Sequence, residues 1–189
     1  MIKKSSLSIA IPTFNGGKFL KKQFQRLFND CNKKKFTNFY EIIIVDNCST
    51  DNTKNIVKYF KKKNDNHKIF KIKYIKKKKN VGFRKNFLSL KNFISTKYVL
   101  FLSDDDLPSK GFYKNVYNII KRNEYKEMLV LPIANSNKYY KALFGINNVS
   151  YIVNRSSILS GIIIQNKYFK YKNYLKNLYP QTELCLDYY

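Results

Sequence analysis

The sequence predicts an α/β fold, a mostly parallel sheet with helices on both faces. Three observations predict it. Short apolar runs at residues 7–12, 40–46 and 98–102 are rich in branched and aromatic side chains, as strands buried on both faces are. Each is followed by a stretch whose apolar residues recur at helical spacing. Strand and helix also alternate along the chain, which implies right-handed crossovers and parallel pairing.

The elements follow in order. Leu7-Ser8-Ile9-Ala10-Ile11-Pro12 reads as a strand ended by its proline, and Thr13-Phe14-Asn15-Gly16-Gly17 as a loop. That loop is not a dinucleotide fingerprint, because its two glycines are adjacent. Leu20, Phe24, Leu27, Phe28 and Cys31 mark a helix from about 18 to 34. Tyr40-Glu41-Ile42-Ile43-Ile44-Val45-Asp46 is a second strand ending in a carboxylate, and the small polar run 47–53 offers Ser49 or Asp51 as an N-cap. The next helix, with Ile56, Val57 and Phe60 inward, runs to about Lys61, and residues 61–68 read as a solvated face or loop. His67, the one histidine, falls in that polar run, which suits a solvated residue better than a catalytic one.

Phe70, Ile72 and Tyr74 alternate with lysines, the pattern of a half-exposed strand. Phe83, Phe87, Leu90 and Ile94 form one helical stripe beginning near Gly82, with Arg84 and nearby lysines at its amino end, a setting for an anionic ligand. After the 98–102 strand comes a helix over 111–123, then a strand over 128–133. Beyond it Tyr139-Tyr140 and 149–153 are sheet candidates, 157–164 is small and apolar, and 168–178 is a mixed, helix-compatible stretch.

Tyr98-Val99-Leu100-Phe101-Leu102 runs directly into Ser103-Asp104-Asp105-Asp106. Open α/β sheets place their ligand crevice at the carboxyl ends of their strands, so these acids fall where ligands bind. Adjacent carboxylates repel unless a proton or cation intervenes, and Mg²⁺ or Mn²⁺ takes one or two protein carboxylates together with substrate phosphates. The bland alternative is a solvated acidic turn before the next helix. Parallel strands should bring Thr13, Asp46 and Asp104–Asp106 to one rim.

The formal net charge is +25, and of 37 basic residues only Arg26, Arg84, Arg122 and Arg155 are arginines. Nucleic-acid readers use arginine for bidentate contacts, so the lysine excess argues against specific nucleic-acid recognition. It does favour anionic surfaces, including a peripheral contact with an anionic membrane. Cys31, Cys48 and Cys185 are widely spaced, which argues against a disulfide framework or zinc site. There is no signal-peptide pattern and no apolar run of membrane-spanning length. The expected location is cytoplasmic, at most peripheral at the inner face of the membrane.

Four segments in this order resemble the nucleotide-sugar-binding half of family 2 glycosyltransferases of the GT-A fold. They are Ile9-Ala10-Ile11-Pro12-Thr13-Phe14-Asn15, Ile42 to Asp51, Asn80-Val81-Gly82-Phe83-Arg84-Lys85-Asn86 and Phe101 to Asp106. The third and fourth resemble the branch that builds bacterial surface polysaccharides, including abequosyltransferase-like enzymes. The resemblance implies a nucleotide-sugar donor, a glycan or lipid-linked acceptor, and Mn²⁺ or Mg²⁺ as cofactor. It implies substrate binding by Pro12, Thr13, Asn15, Asp46, Ser49, Asn80, Gly82, Arg84 and Asp104, with Thr13 and Asp46 at the base, Arg84 near the phosphates and Asp104 near the ribose. Metal binding would fall to Asp105 of the DxD motif, supported by Asp106. Ser103 stands where many relatives carry that motif's first aspartate.

The family's general base is a carboxylate in the carboxy-terminal half, and here only Glu183 and Asp187 lie late enough in the chain to serve. The expected division is a donor-binding half over 1–133 and an acceptor-side segment over 134–189. That segment is short for the family, so a truncated donor-binding remnant is one alternative to an active transferase. A polyanion-binding protein and a nucleotidyltransferase are others.

Overall fold

The structure is a computed structural model that describes residues 6–31, 33–37, 39–122, 129–130, 140–141 and 159–171. Its centre is a seven-stranded sheet. The strands are β1 (Leu7–Thr13), β2 (Tyr40–Asp46), β3 (Lys71–Lys76), β4 (Tyr98–Phe101), β5 (Leu129–Val130), β6 (Tyr140–Lys141) and β7 (Ile162–Gln165). Their order across the sheet is β3-β2-β1-β4-β7-β5-β6. The first four pair in parallel, whereas β7 runs antiparallel to both β4 and β5. Residues 157–164, to which the sequence assigns no element, thus supply β7. The sheet extends across position 133.

Helices α1 (Gly17–Asp30), α2 (Thr53–His67) and α4 (Phe112–Arg122) cover one face, and α3 (Phe83–Ser89) and α5 (Asn166–Tyr171) the other. The period-2 alternation of a strand divides the core accordingly. Ile9, Ile11, Ile42, Ile44 and Leu100 face α1, α2 and α4, while Ala10, Ile43, Val45, Val99 and Phe101 face α3 and α5. Phe24 of α1 stacks on Phe60 of α2 with ring centroids 4.7 Å apart, which locks those helices side by side. β3 forms one edge, and its lysines protect that edge from adventitious strand pairing.

Several boundaries differ from the sequence reading, each for a local reason. α1 ends at Asp30, because that buried carboxylate turns away to accept the N–H groups of Gly111 (3.0 Å) and Tyr113 (3.3 Å) at the start of α4. α2 continues to His67 rather than stopping near Lys61, with Lys61–Lys63 exposed on its solvent side. Buried Asn64 fixes that last turn to the strand beyond. Its Nδ2 donates to Phe70 O (2.7 Å) and its Oδ1 accepts from Phe70 N (2.9 Å). Asn52, not Ser49 or Asp51, occupies the N-cap position of α2, although Asp51 Oδ1 accepts from Thr53 N at 3.0 Å.

The Phe83–Ile94 stripe is not one helix. α3 stops at Ser89 and a 3₁₀ turn spans Leu90–Asn92. Phe87, Leu90 and Ile94 are core, but Phe83 is 46% exposed. Residues 149–153, 172–178, Glu183, Cys185 and Asp187 lie outside the described residues.

Candidate functional site at the carboxyl rim of the sheet

The parallel register sets Thr13 beside Asp46 at the ends of β1 and β2. From there Thr13 reaches the loop after β4, donating through Oγ1 to Asp104 Oδ2 at 2.5 Å, while Phe14 N donates to the same oxygen at 3.2 Å. The approach is close enough to specify a glycine. A Cβ on Gly16 would lie 2.1 Å from Asp104 Oδ2 and 2.6 Å from Thr13 Oγ1. Burial pushes the Asp104 carboxyl up and neighbouring Asp105 adds to that. The hydrogen bonds from Thr13 and Phe14 oppose it without cancelling it, so the group sits above the usual carboxylate range.

The loop after β2 is built from its own side chains. Asp46 is fully buried, with Oδ1 accepting from Ser49 N at 2.7 Å and Oδ2 accepting from the Tyr74 hydroxyl. Burial raises the Tyr74 pKa and the bond to Asp46 raises it further, so that hydroxyl keeps its proton. Ser49 Oγ accepts from Asn15 N (2.8 Å), Asn15 Oδ1 accepts from Thr50 N (2.9 Å), and Lys76 Nζ donates to Ser49 O (2.6 Å). Asn15 and Cys48 both take positive φ, 55° and 68°, so these tight loop turns are held by that network.

Between the loops lies a cleft of about 260 Å³. Pro12, Thr13, Asn80, Gly82 and Asp104 line it, as do Phe14, Asn47, Phe83, Asn86 and Ser103. Asn47 and Asn80 form one wall, with Asn47 Nδ2 donating to Asn80 Oδ1 at 2.7 Å and Asn47 Oδ1 accepting from Val81 N at 2.9 Å. Phe14 is 49% exposed at the lip.

The candidate residues therefore separate. Asp46, Ser49 and Asn15 do not line the cleft; they build the loop that forms its side. Asp46 is fully buried, so a direct contact with a base, which the resemblance implies, requires the surrounding loop to open. Arg84 is exposed in the first turn of α3 and is not among the lining residues. Phe14, Asn47, Phe83 and Asn86 were not singled out from the sequence. The signal for Phe14 was its place between a strand-ending proline-threonine and two glycines, where a core aromatic has nothing to pack on. The signal for Phe83 was weaker, because its spacing fits the apolar stripe.

Asp105 is exposed and accepts a hydrogen bond from Ser103 Oγ, while Asp106 is half-buried. Among the described residues no cluster of three or more His, Cys, Asp or Glu side chains forms a metal cage. An Mg²⁺ or Mn²⁺ ion does not need one, since one or two carboxylates and the substrate's phosphates complete its oxygen shell. The adjacent carboxylates of Asp104 and Asp105 fit that requirement; burial is the main cause of the upward shift of Asp104, and the neighbouring Asp105 charge adds to it.

The Glycosyl transferase family 2 model matches residues 8–175. The chain belongs to that family. As a family 2 member it is 32% identical over 120 residues to the poly(ribitol-phosphate) beta-N-acetylglucosaminyltransferase TarP of Staphylococcus aureus, a match covering 62% of this chain and 33% of TarP. It is 35% identical over 124 residues to a dolichyl N-acetyl-alpha-D-glucosaminyl phosphate 3-beta-D-2,3-diacetamido-2,3-dideoxy-beta-D-glucuronosyltransferase of Methanococcus voltae, covering 64% of this chain and 36% of that protein. The matched part is thus about a third of either relative's length.

The fold resembles S. aureus TarS 1–349 in complex with UDP-GlcNAc, with a TM-score of 0.68 at 21% identity, covering 95% of this chain and 53% of that one. It also resembles the Pyrobaculum calidifontis mannosyltransferase in complex with GDP-Man and Mn²⁺, with a TM-score of 0.70 at 10% identity, covering 99% of this chain and 52% of the other. Both likenesses support the mostly parallel GT-A architecture. Among the described residues no helix is long and apolar enough to cross a membrane.

Proposed function

We propose that this family 2 chain binds a nucleotide-sugar and transfers its sugar, with inversion and metal assistance, to a glycan or lipid-linked acceptor. The observation that carries the reading is the cleft at the strand ends, with an exposed phenylalanine at its lip and Asp104 in its lining, next in sequence to the exposed Asp105. At about 260 Å³ the cleft is smaller than the roughly 300–1,000 Å³ of a pocket enclosing a whole ligand, so it suits the nucleoside and leaves the sugar outside. Phe14 offers a ring face for base stacking, and Asn47 and Asn80 offer amides to the base edge or ribose. Asp104 is positioned by Thr13 to accept from a ribose hydroxyl, and Arg84 is close in sequence to the phosphate side.

Asp105, supported by Asp104 and Asp106, would hold Mn²⁺ or Mg²⁺, which supplies charge neutralisation for the departing diphosphate. The acceptor hydroxyl gives its proton to a carboxylate, for which Glu183 is the first choice and Asp187 the second. On this reading residues 1–133 bind the donor and 134–189 meet the acceptor. The names of relatives that transfer to poly(ribitol-phosphate) or to a dolichyl-linked sugar motivate a glycan or lipid-linked acceptor. A net charge of +25 motivates peripheral contact with an anionic membrane, which retention on anionic vesicles at low but not high salt would test.

The test is calorimetry of UDP-, GDP- and dTDP-sugars with and without Mn²⁺, followed by assay for released nucleoside diphosphate. Binding without release would favour the donor-binding remnant over the active transferase, and no binding of any donor would remove both. Phe14→Ala is expected to weaken nucleotide binding by about 2 kcal/mol, the scale of one base–aromatic stack.

A further inference from the structure

The acids after β4 sit on a loop with little backbone support. Among the described residues, 103–107 form no backbone–backbone hydrogen bond. Side chains from elsewhere hold it instead. Ser160 Oγ accepts from Ser103 N at 2.7 Å. On the other side Gln23, projecting from the middle of α1, uses one amide nitrogen for two carbonyls, donating through Nε2 to Ser103 O at 2.6 Å and also to Asp106 O. Both of its amide hydrogens are thereby used, and they close a ring around Asp104 and Asp105.

We infer that Gln23 is a positioning residue for the acidic loop, setting the turn that presents Asp104 and Asp105 to the donor's metal-bound diphosphate. The inference rests on the metal-assisted reading above and goes beyond it, because Gln23 touches neither cleft nor ligand. Its surroundings argue that stability alone does not explain it. Gln23 is 3% exposed and lies among Ile9, Ile11, Leu20 and Phe24, where an apolar side chain would pack. Among the described residues its buried Oε1 has no hydrogen-bond partner, a standing cost to the fold. Turning the amide over would set Oε1 against two carbonyl oxygens, so the network fixes its orientation. The residue bears an unsatisfied acceptor in order to offer two donors at one point. A buried polar group that weakens its own packing while fixing a site is the pattern of a stability–function exchange.

Gln23→Met tests this, since methionine fills a similar volume and removes both the donors and the orphaned oxygen; Gln23→Leu serves if the first variant does not fold. Three measurements are made on the full chain. Thermal unfolding should give a midpoint equal to or above that of the wild type. Hydrogen exchange without ligands should accelerate tenfold or more at the Ser103 amide, which donates to Ser160 Oγ, and remain unchanged in α2. The enhancement of UDP binding by Mn²⁺ should fall about tenfold while metal-free UDP binding is retained. Unchanged exchange at the Ser103 amide would overturn the clamp. Faster exchange with a fully retained Mn²⁺ enhancement would overturn its role in presenting the acids. A wild-type protein whose UDP affinity is indifferent to Mn²⁺ would instead refute the metal-assisted reading, and the exchange result alone would then decide the clamp.

Discussion

At the end of β2, Asp46 is buried, and each of its oxygens already accepts a hydrogen bond from the protein. Just after β4, Asp104 lies beside two more carboxylates on a loop whose hydrogen bonds, among the described residues, all involve a side chain, with its carboxyl pushed up by burial and by Asp105. Both aspartates end buried parallel strands on the same rim, and Thr13 neighbours both. The difference is in how far the fold satisfies their charge. Asp46 is consumed in holding a loop closed, so its removal acts first on structure. On the proposed metal-assisted reading the Asp104–Asp106 group has charge that a cation would meet, so its removal should act first on binding and chemistry.

The largest effect expected from this contrast is at Asp105. Asp105→Asn should lower transfer by about 10³-fold, roughly 4 kcal/mol of transition-state stabilisation, if the carboxylate holds the cation that would neutralise the departing diphosphate. The side chain is exposed, so the unfolding free energy should move by no more than about 0.5 kcal/mol. Turnover measured beside a denaturant titration separates the two. A variant that loses stability and keeps its rate would reverse the contrast.

Asp46→Ala should do the opposite. It leaves Ser49 N and the Tyr74 hydroxyl without their acceptor in a buried site, at a cost of about 3 kcal/mol. Its readout is a lower urea midpoint at unchanged m-value. Nucleotide affinity should then fall only as far as the 47–53 loop loosens. A loss of affinity without loss of stability would instead give Asp46 the direct base contact that the resemblance implies.

The rim itself was legible from the sequence, because apolar runs ending in polar or acidic residues need only strand periodicity to be ordered. Thr13 beside Asp46 follows from parallel pairing, and the acids after β4 follow from where that strand ends. What each residue does there was not legible. Asp46 and Ser49 carry the motif, yet local sequence cannot reveal that Tyr74 lies on a neighbouring strand and donates to the carboxylate. Phe83 fits a helical stripe, yet it opens α3 at the cleft and lines it instead of joining the core. β7 escaped for a similar reason. Residues 162–165 are an apolar run whose antiparallel partner, β4, precedes it by some sixty residues, and no periodicity encodes that pairing.

Gly16→Ala probes the close approach of the first loop to Asp104. The backbone there has φ −93°, so alanine is conformationally acceptable and the penalty comes from crowding alone. Its Cβ would stand 2.1 Å from Asp104 Oδ2, forcing the carboxylate off Thr13. A loss of about 2 kcal/mol in stability is expected, on the scale of overpacking a tight site. Donor affinity should drop with it, whereas Gly16→Ser should do no better, since the added hydroxyl hangs on the same Cβ.

The smallest effects are in pH, and they carry opposite signs in the two loops. Burial raises the Asp51 carboxyl, but bonds from Thr53 and from Gly17 N at 3.0 Å outweigh it, leaving its pKa lowered. Its contribution to stability is therefore present above the usual carboxylate pKa and is lost as pH falls through the lowered value. Asp104 is raised, so the folded metal-free protein holds that proton more tightly than the unfolded chain does. Its contribution is present below the usual carboxylate pKa and is lost as pH rises through the raised value. Urea titrations from pH 3 to pH 7 without divalent metal should show Asp104→Asn relieving the loss on the rising side and Asp51→Asn relieving the loss on the acid side. If both variants shifted the profile in the same direction, the two loops would not differ in how their charge is satisfied, and Asp104 would have to be regarded as another carboxylate stabilised by its hydrogen bonds.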